Sequence, residues 1–208
     1  KWSPSKKTFI SEAVLLGIAQ MFGVPYAFEQ EKDGRLLHQI TPNKNKVYSL
    51  SSAGSKSNLG HHVEAAFDAD LKPDFVVLIC LRQDKKGQAE TTITDIRDVL
   101  LLLNPTTVQV LSEPRFTTRI PVSFTDAGAK EQWSAPTPVI NGHHSIPELI
   151  VDTDLTVGMD SEAKQALETL KDAFSYPRIK QVFHLMPGDC LIIPNRTTVH
   201  GRTPFIPT

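Results

Sequence analysis

The spacing of hydrophobic positions changes along the chain, and each spacing predicts an element. Between Ser11 and Gly23 the apolar residues recur at helical intervals, so we expect Ser11 to cap a first helix that ends before Gly23. The segment TDIRDVLLLLNP predicts a second helix that Thr94 opens, and SEAKQALETLKDAF predicts a third that Ser161 opens. Their apolar positions form stripes, which indicates amphipathic helices that lie on the surface of a core.

Strand-like segments lie between these helices. Residues 75–81 (FVVLICL) form a continuous apolar run of strand length, which is typical of a strand buried on both faces. Residues 115–124 (RFTTRIPVSF) also indicate a strand, whereas residues 132–151 are rich in turn residues. The segment KQVFHLMPGDCLIIPN predicts a hairpin with a tight turn at residues 187–189. No repeating βαβ rhythm runs through the chain.

Composition limits the classes of function. The chain has 208 residues, of which 40% are hydrophobic and 22% charged, as is usual for one soluble globular domain. Its 22 basic and 23 acidic residues leave a net charge of −1, so we expect a small-molecule or protein partner and no nucleic acid. No apolar stretch is long enough to cross a bilayer and no signal peptide opens the chain, so we expect a cytoplasmic protein without membrane contact.

Two further features bear on the context of the chain. Cys80 and Cys190 both lie in apolar runs, where buried, unpaired thiols are expected, and this favours a reducing compartment. The sequence begins without Met and ends at Thr208 without a closing signal such as a capped helix. We therefore expect it to be an internal portion of a longer polypeptide.

The main candidate for chemistry is the His-x-Glu motif of His62 and Glu64, which precedes the apolar run at residues 75–81. Side chains two residues apart on an extended segment project to the same side, so these two can share one metal while Val63 faces the core. A third partner is His200, which follows the predicted hairpin. Two histidines and one carboxylate are the ligand set of non-haem iron(II) oxygenases, in which one face of the metal stays open.

Taken alone, the His-x-Glu motif is weak, because 7 histidines and 23 acids can produce such a triplet by chance. The remaining histidines favour ordinary roles. We expect His61 to be a neighbour of the ligand, His143 and His144 to lie on a solvated turn, and His184 to be a hydrogen-bonded strand residue.

Longer blocks of sequence raise the weight of the motif. The segments GVPYAFEQEKDGRLLHQITP, HHVEAAFDADLKPDFVVLICLRQD and MPGDCLIIPNRTTVHGRTPF resemble the clavaminate synthase-like group of iron(II)- and 2-oxoglutarate-dependent oxygenases, which includes arginine and asparagine β-hydroxylases. The resemblance extends over residues 11–207. It implies an α+β fold with a double-stranded β-helix (jelly-roll) core and flanking helices. It also implies a single oxygenase domain over residues 1–208 that lacks terminal segments of the family.

The resemblance implies roles for individual residues around the metal. It identifies His62, Glu64 and His200 as iron ligands, and it places Thr91 where the family has a threonine that hydrogen-bonds 2-oxoglutarate, with Thr92 as the near alternative. The principal 2-oxoglutarate anchor of the family is an arginine that would lie beyond the last residue of this sequence. Arg202 is then either a substitute 2-oxoglutarate anchor or, as the family's arginine at this position favours, a structural group that supports the site.

The substrate pocket is predicted from acidic residues and from the resemblance. Asp152 and Asp154 are either ordinary turn formers or a pair that binds a guanidinium, ammonium or amide group. By analogy with the family, Gln30, Glu31 and Ser52 complete the pocket wall. Ser52 belongs to a Gly-, Ser- and Asn-rich stretch, residues 42–60, that we expect to act as a lid.

Together these features predict an amino-acid hydroxylase. It would use iron(II), 2-oxoglutarate and O2 to hydroxylate an unactivated C–H of a free basic or amide amino acid, of the arginine, lysine or asparagine type, and release succinate and CO2. Glu64 argues against a halogenase, because those relatives lack the carboxylate. Desaturation, cyclisation or action on a carrier-tethered residue remain alternatives, as does a catalytically silent jelly-roll protein that binds metal or ligand.

Overall fold

The computed structural model describes residues 7–121, 124 and 132–207. Its α-helices are α1 (Ile10–Gln20), α2 (Ile96–Leu100), α3 (Pro105–Leu111) and α4 (Ser161–Phe174), and single 3-10 turns occur at Lys32–Gly34 and Lys44–Lys46. Its strands are β1 (Leu59–His62), β2 (Phe75–Ile79), β3 (Thr91–Asp95), β4 (Phe116–Thr118), β5 (Ile140–His143), β6 (Ile146–Leu149), β7 (Thr156–Gly158), β8 (Gln181–Phe183), β9 (Cys190–Pro194) and β10 (Thr198–Arg202). Within the described ranges, no helix is long and apolar enough to span a membrane.

The largest sheet has the strand order β1-β10-β3-β8, and its pairings are antiparallel. The remaining strands pair two by two, also antiparallel, as β2 with β9, β4 with β7 and β5 with β6. Strands far apart in sequence are therefore neighbours, since β10 lies between β1 and β3. This arrangement brings residues 59–62 and residues 198–202 side by side in one sheet.

The hydrophobic core lies between the four-stranded sheet and the helices. The apolar stripe of α4, including Leu167, Leu170 and Phe174, is buried there with Ile96 and Phe116. The Thr94 hydroxyl donates to the Phe174 carbonyl at 2.9 Å, which ties β3 to the end of α4. One face of the sheet is thus covered by α4. We call the opposite face, which carries His62 and His200, the ligand face.

Helix α4 matches its prediction, and the structure shows how it begins. Asp160 is the N-cap, because its carboxylate accepts from Ala163 N at 2.9 Å. The same carboxylate receives two hydrogen bonds from the guanidinium of Arg115, at 2.9 and 2.6 Å. A cap that is itself held by an arginine fixes the direction in which the helix leaves the preceding strand β7.

Two predicted helix starts are wrong. Helix α1 begins at Ile10, and Ser11 does not cap it, since its hydroxyl donates to Glu12 instead. Thr94 lies inside β3, and the cap of α2 is Asp95, whose carboxylate accepts from Arg97 N at 2.8 Å. The predicted second helix is shorter than expected, since α2 spans only Ile96–Leu100, and Asn104, where the prediction ended the helix, instead caps the separate helix α3.

The predicted terminal hairpin is also wrong. Strands β8 and β9 flank the turn at residues 187–189, but β8 pairs with β3 and β9 pairs with β2, so they belong to different sheets. The residues of β2 are only partly buried within the described part of the chain, although the sequence predicts burial on both faces. Cys190 is an exposed free thiol, in contrast to its predicted burial.

Candidate metal centre

Pairing of β1 with β10 brings the two histidines together. His62 lies opposite His200 in the antiparallel register, and their ring centroids are 4.3 Å apart. A β-bulge between Leu59 and His62 gives β1 one extra residue relative to β10. Paired residues of an antiparallel ladder project to the same face, so both rings lie on the ligand face.

Glu64 completes a three-residue cluster. Its Oε1 atom lies 4.0 Å from His62 Nε2 and 3.5 Å from His200 Nε2, and one ligand atom from each of the three residues falls within 4.8 Å of the others. In the part of the chain that the structure describes, this is the one group of three His, Cys, Asp or Glu residues that meets this criterion. The donor set of two imidazoles and one carboxylate fits an iron(II) ion.

The hydrogen bonding of His62 determines which of its nitrogens faces the cluster. Its Nδ1 lies 2.8 Å from the Gly60 carbonyl, so Nδ1 carries the proton and donates. The lone pair is then on Nε2, the atom nearest Glu64. His200 is almost entirely buried, with 8% of its surface exposed, and it also directs Nε2 toward Glu64. Both imidazoles therefore offer Nε2 as the ligand atom.

Electrostatics favour the protonation states that a metal needs. Burial raises the pKa of Glu64, but the interactions of its carboxylate with His200 and with His62 outweigh this effect and bring the pKa to about 2. Burial lowers the pKa of His200, and the neighbouring His62 lowers it further. At neutral pH the cluster therefore has an anionic carboxylate and a neutral His200, as metal ligation requires.

Asn195 positions Glu64, and sequence reasoning missed it. This fully buried side chain accepts from Glu64 N at 2.8 Å and donates to the carbonyls of Glu64 and Pro73 at 3.3 and 2.9 Å. It thereby fixes the backbone of a ligand residue from a position 131 residues away. In the sequence, Asn195 follows Pro194 and resembles an ordinary turn residue, so no sequence pattern indicated that its side chain is buried and holds Glu64.

Thr91 and Arg202 are paired opposite each other on β3 and β10. Because Arg202 is two residues past His200 on the same strand, it lies on the ligand face, and Thr91 shares that face. Thr92 projects to the other face, where its hydroxyl lies 3.4 Å from His61 Nε2. Of the two threonines considered from the sequence, Thr91 is the one on the side of the metal ligands.

The structure places Asp152 and Asp154 differently. Asp152 forms a β-bridge with His62, and its carboxylate accepts from the backbone of Asp154 and Leu155 at 2.8 and 3.1 Å. Burial raises the pKa of Asp152, while the charge of His62 opposes that rise. The carboxylate of Asp154 instead accepts from Gly60 N at 2.9 Å. Asp152 is therefore beside His62, whereas Asp154 holds the start of β1.

A cavity of about 370 Å³ lies on the face of the sheet that is covered by α4, away from the ligand face. Its lining includes His61, Thr92 and Asp154, with Lys171 and Lys180. Burial, followed by the positive charge of Lys180, lowers the pKa of His61 to about 4. His61 is thus a neutral neighbour of the ligand strand, and it lies outside the three-residue cluster.

The other predicted pocket residues lie in the segments before β1. Glu31 is half-buried, and burial raises its pKa; His38 opposes that rise and the charge of Glu64 adds to it, which places Glu31 near the cluster. Gln30 is exposed. Ser52 is half-buried, and its carbonyl accepts from Arg202 at 3.5 Å.

Comparison with known proteins identifies similar sequences. The chain is 39% identical to the L-asparagine oxygenase of Streptomyces coelicolor over 99% of its own length and 60% of that protein. It is 33% identical to the L-lysine 3-hydroxylase of Catenulispora acidiphila, over 91% of this chain and 52% of that protein. It is 30% identical to clavaminate synthase 2 of Streptomyces clavuligerus, over 97% of this chain and 61% of that protein. The chain therefore spans about half to three fifths of the length of these relatives.

Solved structures show the same likeness in three dimensions. An asparagine oxygenase in complex with Fe(II), 2S,3S-3-hydroxyasparagine and succinate superposes with a TM-score of 0.89 at 38% identity, over 99% of this chain and 62% of that one. This likeness confirms the predicted α+β fold with a jelly-roll core. The model of the "Taurine catabolism dioxygenase TauD, TfdA family" matches residues 7–208. From the cluster of two histidines and a glutamate to the arrangement of the sheets, the chain belongs to the TauD/TfdA dioxygenase family.

Proposed function

We propose that this chain carries the metal centre of an iron(II)- and 2-oxoglutarate-dependent hydroxylase that acts on a free amino acid. The observation that carries the proposal is the convergence of His62, Glu64 and His200 on one point of the ligand face. The names of the relatives support it, because they describe oxygenases and hydroxylases of asparagine and lysine. When bound, iron(II) with 2-oxoglutarate supplies the activation of O2 that an unactivated C–H requires.

The protein contributes the position and protonation state of its own groups. His62 and His200 both direct Nε2 toward Glu64, and Glu64 adds the one negative charge of the ligand set. Thr91, on the same face, is the proposed hydrogen-bond donor to 2-oxoglutarate. Because reactivity of an unactivated carbon depends on which C–H is held nearest to the oxidant, the positions of the pocket residues decide the product.

For the substrate we propose an amino acid with a basic or amide side chain. Asp152 supports this, since it is half-buried, pairs with His62 in a β-bridge and uses only one carboxylate oxygen, Oδ1, for the hydrogen bonds to its own turn. The other oxygen is suited to accept from an amide, ammonium or guanidinium group. Glu31, near Glu64, supplies a second carboxylate for the ammonium group of the amino acid.

The test is a screen of amino acids with iron(II) and 2-oxoglutarate, in which succinate and the mass of the amino acid are measured together. Hydroxylation adds one oxygen to the mass, whereas desaturation or cyclisation removes two hydrogens. Glu64→Ala is the inactive control. If no basic or amide amino acid changes mass or raises succinate release above this control, the proposal is wrong.

We also propose a cytoplasmic location. Cys80 and Cys190 are both free thiols, and unpaired cysteines are usual where the thiol pool is reduced. The near-zero net charge of −1 supports a small-molecule partner over nucleic acid or an anionic membrane surface.

A further inference from the structure

Arg202 has a charge without a counter-charge. None of the carboxylates that the structure describes forms an ion pair with Arg202. Its Nε atom is buried, and within the described part of the chain it has no hydrogen-bond partner. Burying a guanidinium charge costs free energy unless other groups hydrogen-bond to it. The groups around Arg202 therefore indicate the role of its side chain.

Those groups belong to one loop. The two terminal nitrogens of Arg202 donate to the carbonyls of Ser52 and Ser57, at 3.5 and 3.4 Å. The guanidinium also lies over the ring of Phe205, 5.1 Å from its centroid, and Phe205 N donates to the Ser55 carbonyl at 2.7 Å. Three carbonyls between residues 52 and 57 are therefore held by β10 and by the residues that follow it. We call residues 47–58 the serine loop.

The serine loop is folded rather than irregular. The amides of Ser55 and Lys56 both donate to the Val47 carbonyl, at 3.0 and 2.8 Å. Ser55 is fully buried. A Cβ added to Gly54 would lie 2.0 Å from the Ser49 carbonyl oxygen, so glycine is required there. Because these contacts tie the residues of the loop to one another, groups that hold its carbonyls also fix the position of its serine side chains.

The loop also lies where a substrate would be bound. Arg202 is two residues past the metal ligand His200 on the same strand, a distance of roughly 7 Å along the chain. The loop runs directly into β1, which carries His62. Ser52, whose carbonyl accepts a hydrogen bond from Arg202, is a predicted substrate contact.

We propose that Arg202 is a positioning residue, which holds the serine loop over the metal ligands so that Ser52 is presented to the amino-acid substrate. The proposal rests on the proposed function above. It decides between the two roles that the sequence left open for Arg202, because it assigns the guanidinium to the loop carbonyls and leaves 2-oxoglutarate to other groups. A lysine would replace it only in part, since the planar guanidinium donates to two carbonyls at once and a single ammonium group is less suited to do so.

The first test uses hydrogen exchange and needs no turnover. In Arg202→Met, we expect the amides of Ser55 and Lys56 to exchange about tenfold faster than in the wild type, because two charge-assisted hydrogen bonds are lost from the loop. Exchange in β3 should be unchanged. Arg202→Lys should be intermediate and serves as the decisive variant if Arg202→Met does not fold. Arg82→Met, an exposed arginine outside the loop, is the matched control.

The second test separates a loop role from a role in binding cosubstrate. We expect the KM for the amino acid to rise about tenfold in Arg202→Lys, while the KM for 2-oxoglutarate stays within about twofold. Succinate should also exceed the hydroxylated product, because a loosely held substrate is oxidised less often.

Two results overturn the proposal: unchanged exchange at Ser55 and Lys56, or a larger rise in KM for 2-oxoglutarate than for the amino acid. If the wild type turns over no amino acid, the proposed function fails. The exchange experiment still decides whether Arg202 holds the loop.

Discussion

Replacing Asn195 with alanine tests how much a single buried amide contributes to the metal centre. The substitution removes three hydrogen bonds, to Glu64 N, to the Glu64 carbonyl and to the Pro73 carbonyl. Because the side chain is fully buried, the Glu64 amide and the Pro73 carbonyl would lose their partners in a place that water does not reach. Each such unpaired group costs about 1 to 3 kcal/mol, so for the two groups we expect the free energy of unfolding to fall by roughly 2 to 6 kcal/mol.

The assay is urea denaturation of the metal-free protein, followed by circular dichroism. Iron(II) or cobalt(II) titration of the same variant should show affinity weaker by roughly 10- to 100-fold, as is usual when a group that orients a ligand is removed. Asn45→Ala, at an exposed position, is the control and should change stability by less than about 0.5 kcal/mol. A loss below about 1 kcal/mol together with unchanged metal affinity would refute the reasoning.

Three further predictions follow from the ligand set and its surroundings. Glu64→Ala removes the anionic ligand and should abolish oxidation, as a combined metal titration and succinate assay would show; full activity would contradict the assignment. Asp152→Asn should weaken binding of a basic amino acid by about 2 to 5 kcal/mol, seen as a raised KM. Asp154→Asn should have the smaller effect on KM, because an amide oxygen can still accept from Gly60 N. Burial lowers the pKa of Lys72 to about 8, below its unfolded value of 10.5. The unfolded chain therefore binds more protons between these values, and stability should rise from pH 8 to 10.5 by up to about 3 kcal/mol, a rise that Lys72→Met should remove in pH-dependent denaturation.

The sequence predicts features whose signal is local. Helix α4 was predicted with its bounds, because Leu167, Leu170 and Phe174 form one stripe that the fold then buries. The prediction that His62 and Glu64 share a side is likewise local, since it depends only on their spacing. The structure brings both of them to His200.

Features that depend on distant pairing were not predictable in the same way. The segment around residues 187–189 has the composition of a hairpin, but its two strands satisfy their hydrogen bonds with β3 and β2. Thr94 has a capping side chain, yet its hydroxyl is used by Phe174, which is 80 residues away. The role of the Asn195 side-chain amide could not be predicted for the same reason. Its partners are determined by tertiary structure, and no local sequence pattern specifies them.

The position of β10 between β1 and β3 has a consequence for synthesis on the ribosome. Glu64 emerges 131 residues before Asn195, the residue that fixes its backbone. At typical elongation rates this interval is roughly 7 to 26 seconds. During that time His62 and Glu64 have left the ribosome but His200 has not. Strands β1 and β3 then lack β10, the strand that lies between them in the sheet. In a nascent chain the proposed metal site is therefore incomplete until nearly all of this sequence has left the ribosome, so we expect tight metal binding only late in synthesis.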